Sequence, residues 1–385
     1  MLRGTLRTLR YARSWKAGAD VRTEEVSIER EGLPVAATLM LPALHTGDLP
    51  GWIALGGISR MGRFHPQLVR FAASLASSGA AVLVPEVPEW CSLRVTPGPA
   101  APTIRGSLEY LRTRREVRPG KVGLIGFSFG APQVAIAAAE EDLAPDVAGI
   151  VLFGAYCSLE RTLACQFTGQ HEWAGADHDL VPDPYGRWVV GSNHLTDVPG
   201  YEDAEDVAQA LHRLAAQASD RRVPAWDPYH DEMIRGLRAG FSPNRQALFD
   251  LFATATTEQR PEQEACLAMA HLLTAACKRV DPRLEPARYL ERVELGTRLI
   301  HGRGDRLIPF TESMRLHEGL PAGSRDGHTV TGLFSHSADR SEGSALERAW
   351  EGLTFFEALR GLINTVPPRW GQKQGADVHH DRSAG

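Results

Sequence analysis

The chain has 385 residues, of which 43% are hydrophobic and 23% charged, enough for one large core with a substantial insertion or for two domains, and this excludes disorder as its main state. Its formal net charge is only −5 and its pI near 6.3, so no overall electrostatic field argues for nucleic acid as the partner. Five scattered cysteines (Cys91, Cys157, Cys165, Cys266, Cys277) without a CxxC pair imply free, mostly buried thiols in a reducing compartment, which makes the expected location cytoplasmic.

The N-terminal segment, residues 1–20, interleaves Arg3, Arg7, Arg10 and Arg13 with Leu2, Leu6 and Leu9 and has no apolar run of signal-peptide length. It reads as a short amphipathic helix that either packs on the body of the protein or attaches weakly to an anionic membrane surface. No stretch approaches ~18 consecutive apolar residues, so no segment is expected to span a membrane.

Residues 24–41 alternate and then run apolar across Gly32, the pattern of two strands joined by a tight turn. From there strand and helix patterns take turns. Residues 52–56 read as a buried strand, 66–78 as a helix through Leu68, Phe71 and Leu75, and 80–84 as a strand again. Residues 103–115 read as a helix, 121–125 as a strand, 129–140 as an alanine-rich helix and 147–153 as a strand. Strands alternating with helices of this length imply parallel βαβ units, hence an α/β fold with a mostly parallel doubly wound sheet of about eight strands.

After Phe153 the alternation stops for about 135 residues, too long for an unstructured loop inside a compact domain. An inserted helical subdomain over residues 156–290 is the expectation, with helices at 203–218, 244–257 and 261–280, the last with Pro261 in its first turn. The core therefore divides into 21–155 and 291–366. Its second part carries a strand at 293–301, a helix at 311–319, a short strand at 325–331 and an amphipathic helix at 345–363. The tail, 367–385, has the composition of a disordered segment.

The chemistry-bearing motif is Gly126-Phe127-Ser128-Phe129-Gly130, placed between an apolar strand and a helix. A serine on a sharp strand-to-helix turn takes a strained backbone, and glycines two residues to either side let neighbouring backbone approach, so the hydroxyl stands above the sheet at a helix N-terminus. A bare GxSxG in a chain with 37 glycines would be weak; its position at the middle of the alternating pattern makes it strong.

With this motif the chain resembles the α/β-hydrolase family of esterase- and lipase-like serine hydrolases, over nearly everything except the insertion. Ala54-Leu55-Gly56-Gly57-Ile58 is similar to the family's oxyanion turn, with Gly56 where many members have His. By that resemblance the backbone N–H groups of Ile58 and Phe129 are the oxyanion donors. The stretch from Leu299 to Pro309 resembles the family's acid-bearing turn and nominates Asp305; Gly332-Leu333-Phe334-Ser335-His336-Ser337 falls where the family's histidine sits and nominates His336. The order Ser128, Asp305, His336 is the one this fold uses. A minority of members carry the acid one strand earlier, where this chain reads Gly154-Ala155-Tyr156-Cys157 with no carboxylate before Glu160.

The resemblance implies hydrolysis of an acyl ester, most simply a carboxylic ester of a small-molecule or lipid-like substrate, through an acyl-enzyme on Ser128. An acyltransferase on the same triad remains open, as does a catalytically silent binding protein. Relatives that cleave epoxides or carbon–halogen bonds use an aspartate at the nucleophile position and are excluded by Ser128. No cofactor or metal is expected. His171, Asp177, His178 and Asp179 have ligand types without a recognised spacing, and His379-His380-Asp381 reads as a solvated tail. His328 falls in a strand, Asp326 and Asp339 fit turn or helix-approach chemistry, and Cys157 is by default a buried thiol. Asp183-Pro184-Tyr185-Gly186-Arg187-Trp188 is either a turn packing the insertion onto the core or a ligand-facing segment.

Overall fold

The computed structural model describes residues 2–45, 47–333 and 345–366. Helix α1 (Leu2–Ala17) precedes a hairpin of β1 (Val21–Arg30) and β2 (Leu33–Pro42), whose turn residues Glu31 and Gly32 both have positive φ, 52° and 79°. That two-residue geometry matches the right-handed twist of the strands, and a glycine at its second position removes half of the steric cost. Next come β3 (Gly51–Leu55), α2 (Pro66–Ser77), β4 (Ala81–Pro85), the short α3 (Pro88–Cys91), α4 (Ala100–Thr113), β5 (Val122–Phe127), α5 (Gly130–Ala138) and β6 (Val147–Phe153). Between β6 and the next sheet strand lie α6 (Leu159–Thr168), β7 (Gln170–Trp173), β8 (Ala176–Asp179), α7 (Tyr185–His194), α8 (Glu205–Arg221), α9 (Asp231–Ala239), α10 (Pro243–Phe252) and α11 (Gln263–Val280). The chain closes with β9 (Thr297–Gly302), α12 (Phe310–Gly319), β10 (Arg325–Thr331) and α13 (Ala345–Thr365).

Eight strands form one sheet in the order β1-β2-β4-β3-β5-β6-β9-β10. Strand β2 pairs antiparallel with both β1 and β4 and so runs against all the others; from β4 to β10 every pairing is parallel. The central strands β3 and β4 are buried along their whole length, as both faces of a parallel sheet must be when helices cover them. One face packs against α4, α5 and α12, through Ile104, Leu108, Val134 and Leu316; the other packs against α1, α2 and α13, through Tyr11, Phe71, Leu75 and Leu362. All parallel strands end on the same edge of the sheet, and the loops leaving β3, β5, β9 and β10 therefore emerge together.

The residues between β6 and β9 build a third core of their own around Trp188, Leu211, Phe249, Phe252 and Leu273. This segment differs in detail from its sequence pattern. It contains a two-stranded hairpin, β7 with β8, turned by Ala174 and Gly175 at positive φ. Helix α10 stops at Phe252, short of 257, and α11 starts at Gln263, so Pro261 lies ahead of the helix instead of in its first turn. Ile58 and Phe129, each half-buried, are the side chains that pack against both the sheet core and this third core.

Candidate functional site

Ser128 follows β5 directly and sits at φ +51°, a left-handed conformation that costs a non-glycine residue roughly 1–2 kcal/mol. The surroundings hold it there. Its N–H donates to the carbonyl of Phe153 at the end of β6 (2.8 Å), and its own carbonyl accepts from Ala131 N–H in the first turn of α5 (3.0 Å). The flanking glycines are needed for close approach: a Cβ on Gly126 would fall 2.5 Å from Ala131 Cα and 2.7 Å from the Gly130 carbonyl, and one on Gly130 would collide with the carbonyl of Gly56. The strand-to-helix turn and the turn after β3 are thus packed backbone on backbone.

The same packing sets the turn after β3. A Cβ built on Gly57 would lie 3.0 Å from Ser128 Cβ and 3.3 Å from Ser128 Oγ, so the turn carrying Ile58 runs alongside Ser128. Phe129 occupies the N-cap of α5, where helix geometry leaves amides without an intrahelical acceptor and the helix dipole favours negative charge. Its ring packs edge-on against Trp90, with centroids 5.4 Å apart.

Asp305 stands in the turn after β9 and is only 1% exposed. One carboxylate oxygen accepts from the backbone N–H groups of Leu307 (2.9 Å) and Ile308 (3.1 Å); the other is 3.4 Å from His301 Nε2, which also lies 2.9 Å from the Ile308 carbonyl. These contacts fix the carboxyl group in orientation. The end of β10 is tied to the same turn, because Arg303 N–H donates to the Thr331 carbonyl (2.8 Å). His336, five positions beyond Thr331, lies outside the described residues, as do Asp339 and the tail with His379, His380 and Asp381.

The other carboxylates have different work. Glu160 is on the exposed side of α6, paired with Lys278 (3.0 Å) and near His271 (3.5 Å); hydrogen bonding to Lys278 holds its carboxyl below the usual range. Asp326 is not in a turn: it is the second residue of β10, beside Gly296 at the start of β9, on the edge of the sheet opposite Ser128. The turn after β6, which has no carboxylate of its own before Glu160, is met by Glu312 of α12. Buried to 1% exposure, it accepts from the N–H groups of Cys157 (3.0 Å) and Ser158 (2.6 Å) and from Arg161 (2.7 Å). Cys157 is buried, with its thiol pushed up to about 12 by burial first and by the nearby Glu312 second.

His328 is on β10, with Nε2 2.9 Å from Ser313 Oγ on α12, and burial lowers its pKa to about 4. His171 and His178 face each other across the β7–β8 hairpin, rings stacked at 5.0 Å against Phe310. Among the described residues no group of three or more His, Cys, Asp or Glu could hold a metal ion.

The contacts of the segment Asp183–Trp188 are those of a turn that packs the insertion onto the core. Arg187 and Trp188 serve packing: Arg187 Nε (2.7 Å) and Trp188 Nε1 (2.9 Å) both donate to the carbonyl of Phe252. Asp183 and Tyr185 reach the turns after β9 and β3. Asp183 N–H donates to the carbonyl of Arg306, next to Asp305 (2.9 Å); Asp183 Oδ1 accepts from Tyr185 N–H (3.0 Å); and Tyr185 Oη donates to the carbonyl of Ile58 (3.3 Å). Burial raises the Tyr185 phenol well above its ordinary pKa, so it remains a donor. Gln166 Nε2 donates to the Leu307 carbonyl (3.0 Å), and Arg60, two residues past Ile58, pairs with Asp220 at the end of α8 (2.7 Å). The insertion is thus bonded both to the turn after β3 and to the turn after β9. Sequence reasoning had no signal for Glu312, Gln166 or His301; Tyr185 was visible only as part of an unassigned motif.

No family model and no curated protein matches the sequence. Solved structures do resemble it. Est1E from Butyrivibrio proteoclasticus is 14% identical over 87% of this chain and 98% of its own, with a TM-score of 0.45. Brefeldin A esterase, a bacterial homologue of human hormone-sensitive lipase, is 15% identical over 90% of this chain and 77% of its own (TM-score 0.47). An acylaminoacyl peptidase from Pyrococcus horikoshii is 12% identical over 92% of this chain and 43% of its own (TM-score 0.46). The strand order and the strand–turn–helix at Ser128 are those of the α/β-hydrolase fold.

Proposed function

We propose that the chain is a serine hydrolase that cleaves a carboxylic ester through an acyl-enzyme on Ser128. The observation that carries this reading is the serine held at φ +51° between a parallel strand and a helix N-terminus, with the Gly57 backbone against its Cβ and Oγ. A strained residue that its surroundings over-determine is a mark of a working site.

In this reading Ser128 Oγ attacks the ester carbonyl as His336 takes its proton, and the tetrahedral oxyanion is met by the N–H groups of Ile58 and Phe129. Collapse expels the alcohol, which receives its proton from His336; water, deprotonated by the same imidazole, then attacks the acyl-enzyme and frees the acid and Ser128. Asp305 holds the imidazole in the tautomer that leaves Nε2 free to accept. That His336 follows the end of β10 by five residues in the sequence, and that this strand end is bonded to the Asp305 turn, supports its role. Tyr185 acts as a positioning residue: by donating to the Ile58 carbonyl it restrains the peptide that follows the oxyanion donor. The insertion acts as a lid whose closure completes the site, since its bonds to Ile58, Arg306 and Leu307 exist only when it is seated.

The experiment is rapid-mixing kinetics with p-nitrophenyl esters of increasing chain length. The reading expects a burst of one p-nitrophenol per enzyme and an acyl adduct on Ser128 in the intact protein mass. A folded chain that turns over none of these esters and forms no adduct overturns it.

A further inference from the structure

Helix α1 is amphipathic, but its apolar stripe faces away from the protein. The side that packs on the body is polar or aromatic. Arg7, 8% exposed, donates to the carbonyls of Ser78 (3.2 Å), Gly79 (3.3 Å) and Ile363 (3.2 Å) at the ends of α2 and α13. Thr8 is fully buried, Tyr11 packs edge-on against Phe71, Ser14 bonds Ser77, and Arg70 bonds the Trp15 carbonyl while lying over its ring. Burial lowers the Arg7 guanidinium to about 10, with the like charges of Arg118 and Arg10 adding to the effect. Leu6 and Leu9 are each 51% exposed.

At 100° per residue, Leu6, Leu9, Arg10, Arg13 and Lys16 share one stripe, and all five are exposed. Leu2 continues the leucine spacing in the sequence. None of Arg10, Arg13 and Lys16 is ion-paired among the described residues, and the first carboxylate of the sequence is Asp20, beyond the helix. The outward face is thus two leucines set among unpaired cations.

We propose that this face of α1 is a docking surface for an anionic lipid bilayer, on which the helix lies in the plane of the interface with Leu6 and Leu9 among the upper acyl chains and Arg10, Arg13 and Lys16 at the headgroups. Charge complementarity selects the occupant. A second copy of the chain would set like charges against each other, and a nucleic acid would leave the leucines without a partner, whereas an anionic bilayer satisfies both at one depth. The body-facing bonds of Arg7 remain intact on docking, so the helix stays folded on the protein and presents a preformed face.

The test is co-sedimentation of the full chain with phosphatidylcholine vesicles prepared with and without phosphatidylglycerol, at low and high salt. The expected result is binding to the anionic vesicles that weakens as salt rises. The pairs Arg10→Glu with Arg13→Glu, and Leu6→Ser with Leu9→Ser, should each weaken it by about tenfold. Melting temperature and turnover of a short water-soluble ester should stay unchanged in both double variants, because no substituted side chain touches the core or the site. Equal binding to neutral and anionic vesicles, or undiminished binding by either double variant, overturns the proposal. So does dimerisation or binding to duplex DNA that the same variants abolish in a chain that ignores vesicles.

Discussion

Substituting Gly57 by alanine probes the packing on which the site depends. The new Cβ would lie 3.0 Å from Ser128 Cβ, 3.3 Å from Ser128 Oγ and 3.4 Å from the Phe127 carbonyl. Carbon atoms rest at about 3.5–4.0 Å, so the overlap with Ser128 Cβ is at least about 0.5 Å. Ser128 cannot retreat without breaking its bond to the Phe153 carbonyl or leaving its φ of +51°. The strain therefore moves the turn that carries Ile58 or rotates the serine hydroxyl. Since a misplacement of 1 Å costs about a hundredfold, half that displacement should lower kcat/KM for a p-nitrophenyl ester by roughly tenfold or more, about 1.4 kcal/mol in barrier. Gly56→Ala is the control: its Cβ would meet only Leu68 Cδ2, at 3.2 Å and at the end of a flexible side chain, so its activity should stay within about threefold. Both variants are compared by steady-state kinetics and by melting temperature. Activity within twofold of wild type in Gly57→Ala, or an equal loss in Gly56→Ala, would refute the argument.

Asp305→Asn should lower kcat by on the order of 10⁴ while folding persists, because an amide can hold the imidazole in the wrong tautomer, and the loss should ease at alkaline pH; Glu160→Gln should stay within about tenfold, and the reverse ranking would move the acid to Glu160. Tyr185→Phe removes one hydrogen bond to the Ile58 carbonyl and should reduce kcat by roughly three- to tenfold with KM nearly unchanged, a split that a purely structural lid contact would not give. Ser128→Gly should be more stable than Ser128→Ala by about 1 kcal/mol in thermal or urea unfolding, because glycine occupies φ +51° without the cost that alanine retains.

The sheet was legible because its strands are short apolar runs bounded by turn residues, and because fully buried β3 and β4 have no polar face to blur the pattern. Ser128 was legible for a mechanical reason, since glycines at 126 and 130 are required wherever backbone packs so closely. Asp305 was reached by resemblance to a turn, and the two amides that orient its carboxylate come from that same turn. What stayed hidden is long-range. Glu312 and Glu285 bond the amides of residues 157–159 from 155, 154 and 126 positions away, which no local period can announce. Helix α7 was missed because Trp188, Val189, Val190 and Gly191 are consecutive and all buried, so the segment shows no polar face. In α1 the spacing revealed an apolar stripe but not its direction, which is set by three carbonyls that happen to receive Arg7.

The central claim is that Ser128 is the nucleophile. Its most direct test is to react the full chain with an active-site-directed fluorophosphonate and locate the adduct by peptide mass spectrometry. The account predicts one adduct per chain, on Ser128, absent from Ser128→Ala. Labelling that persists in Ser128→Ala, or that settles on another serine of the wild type, would contradict it.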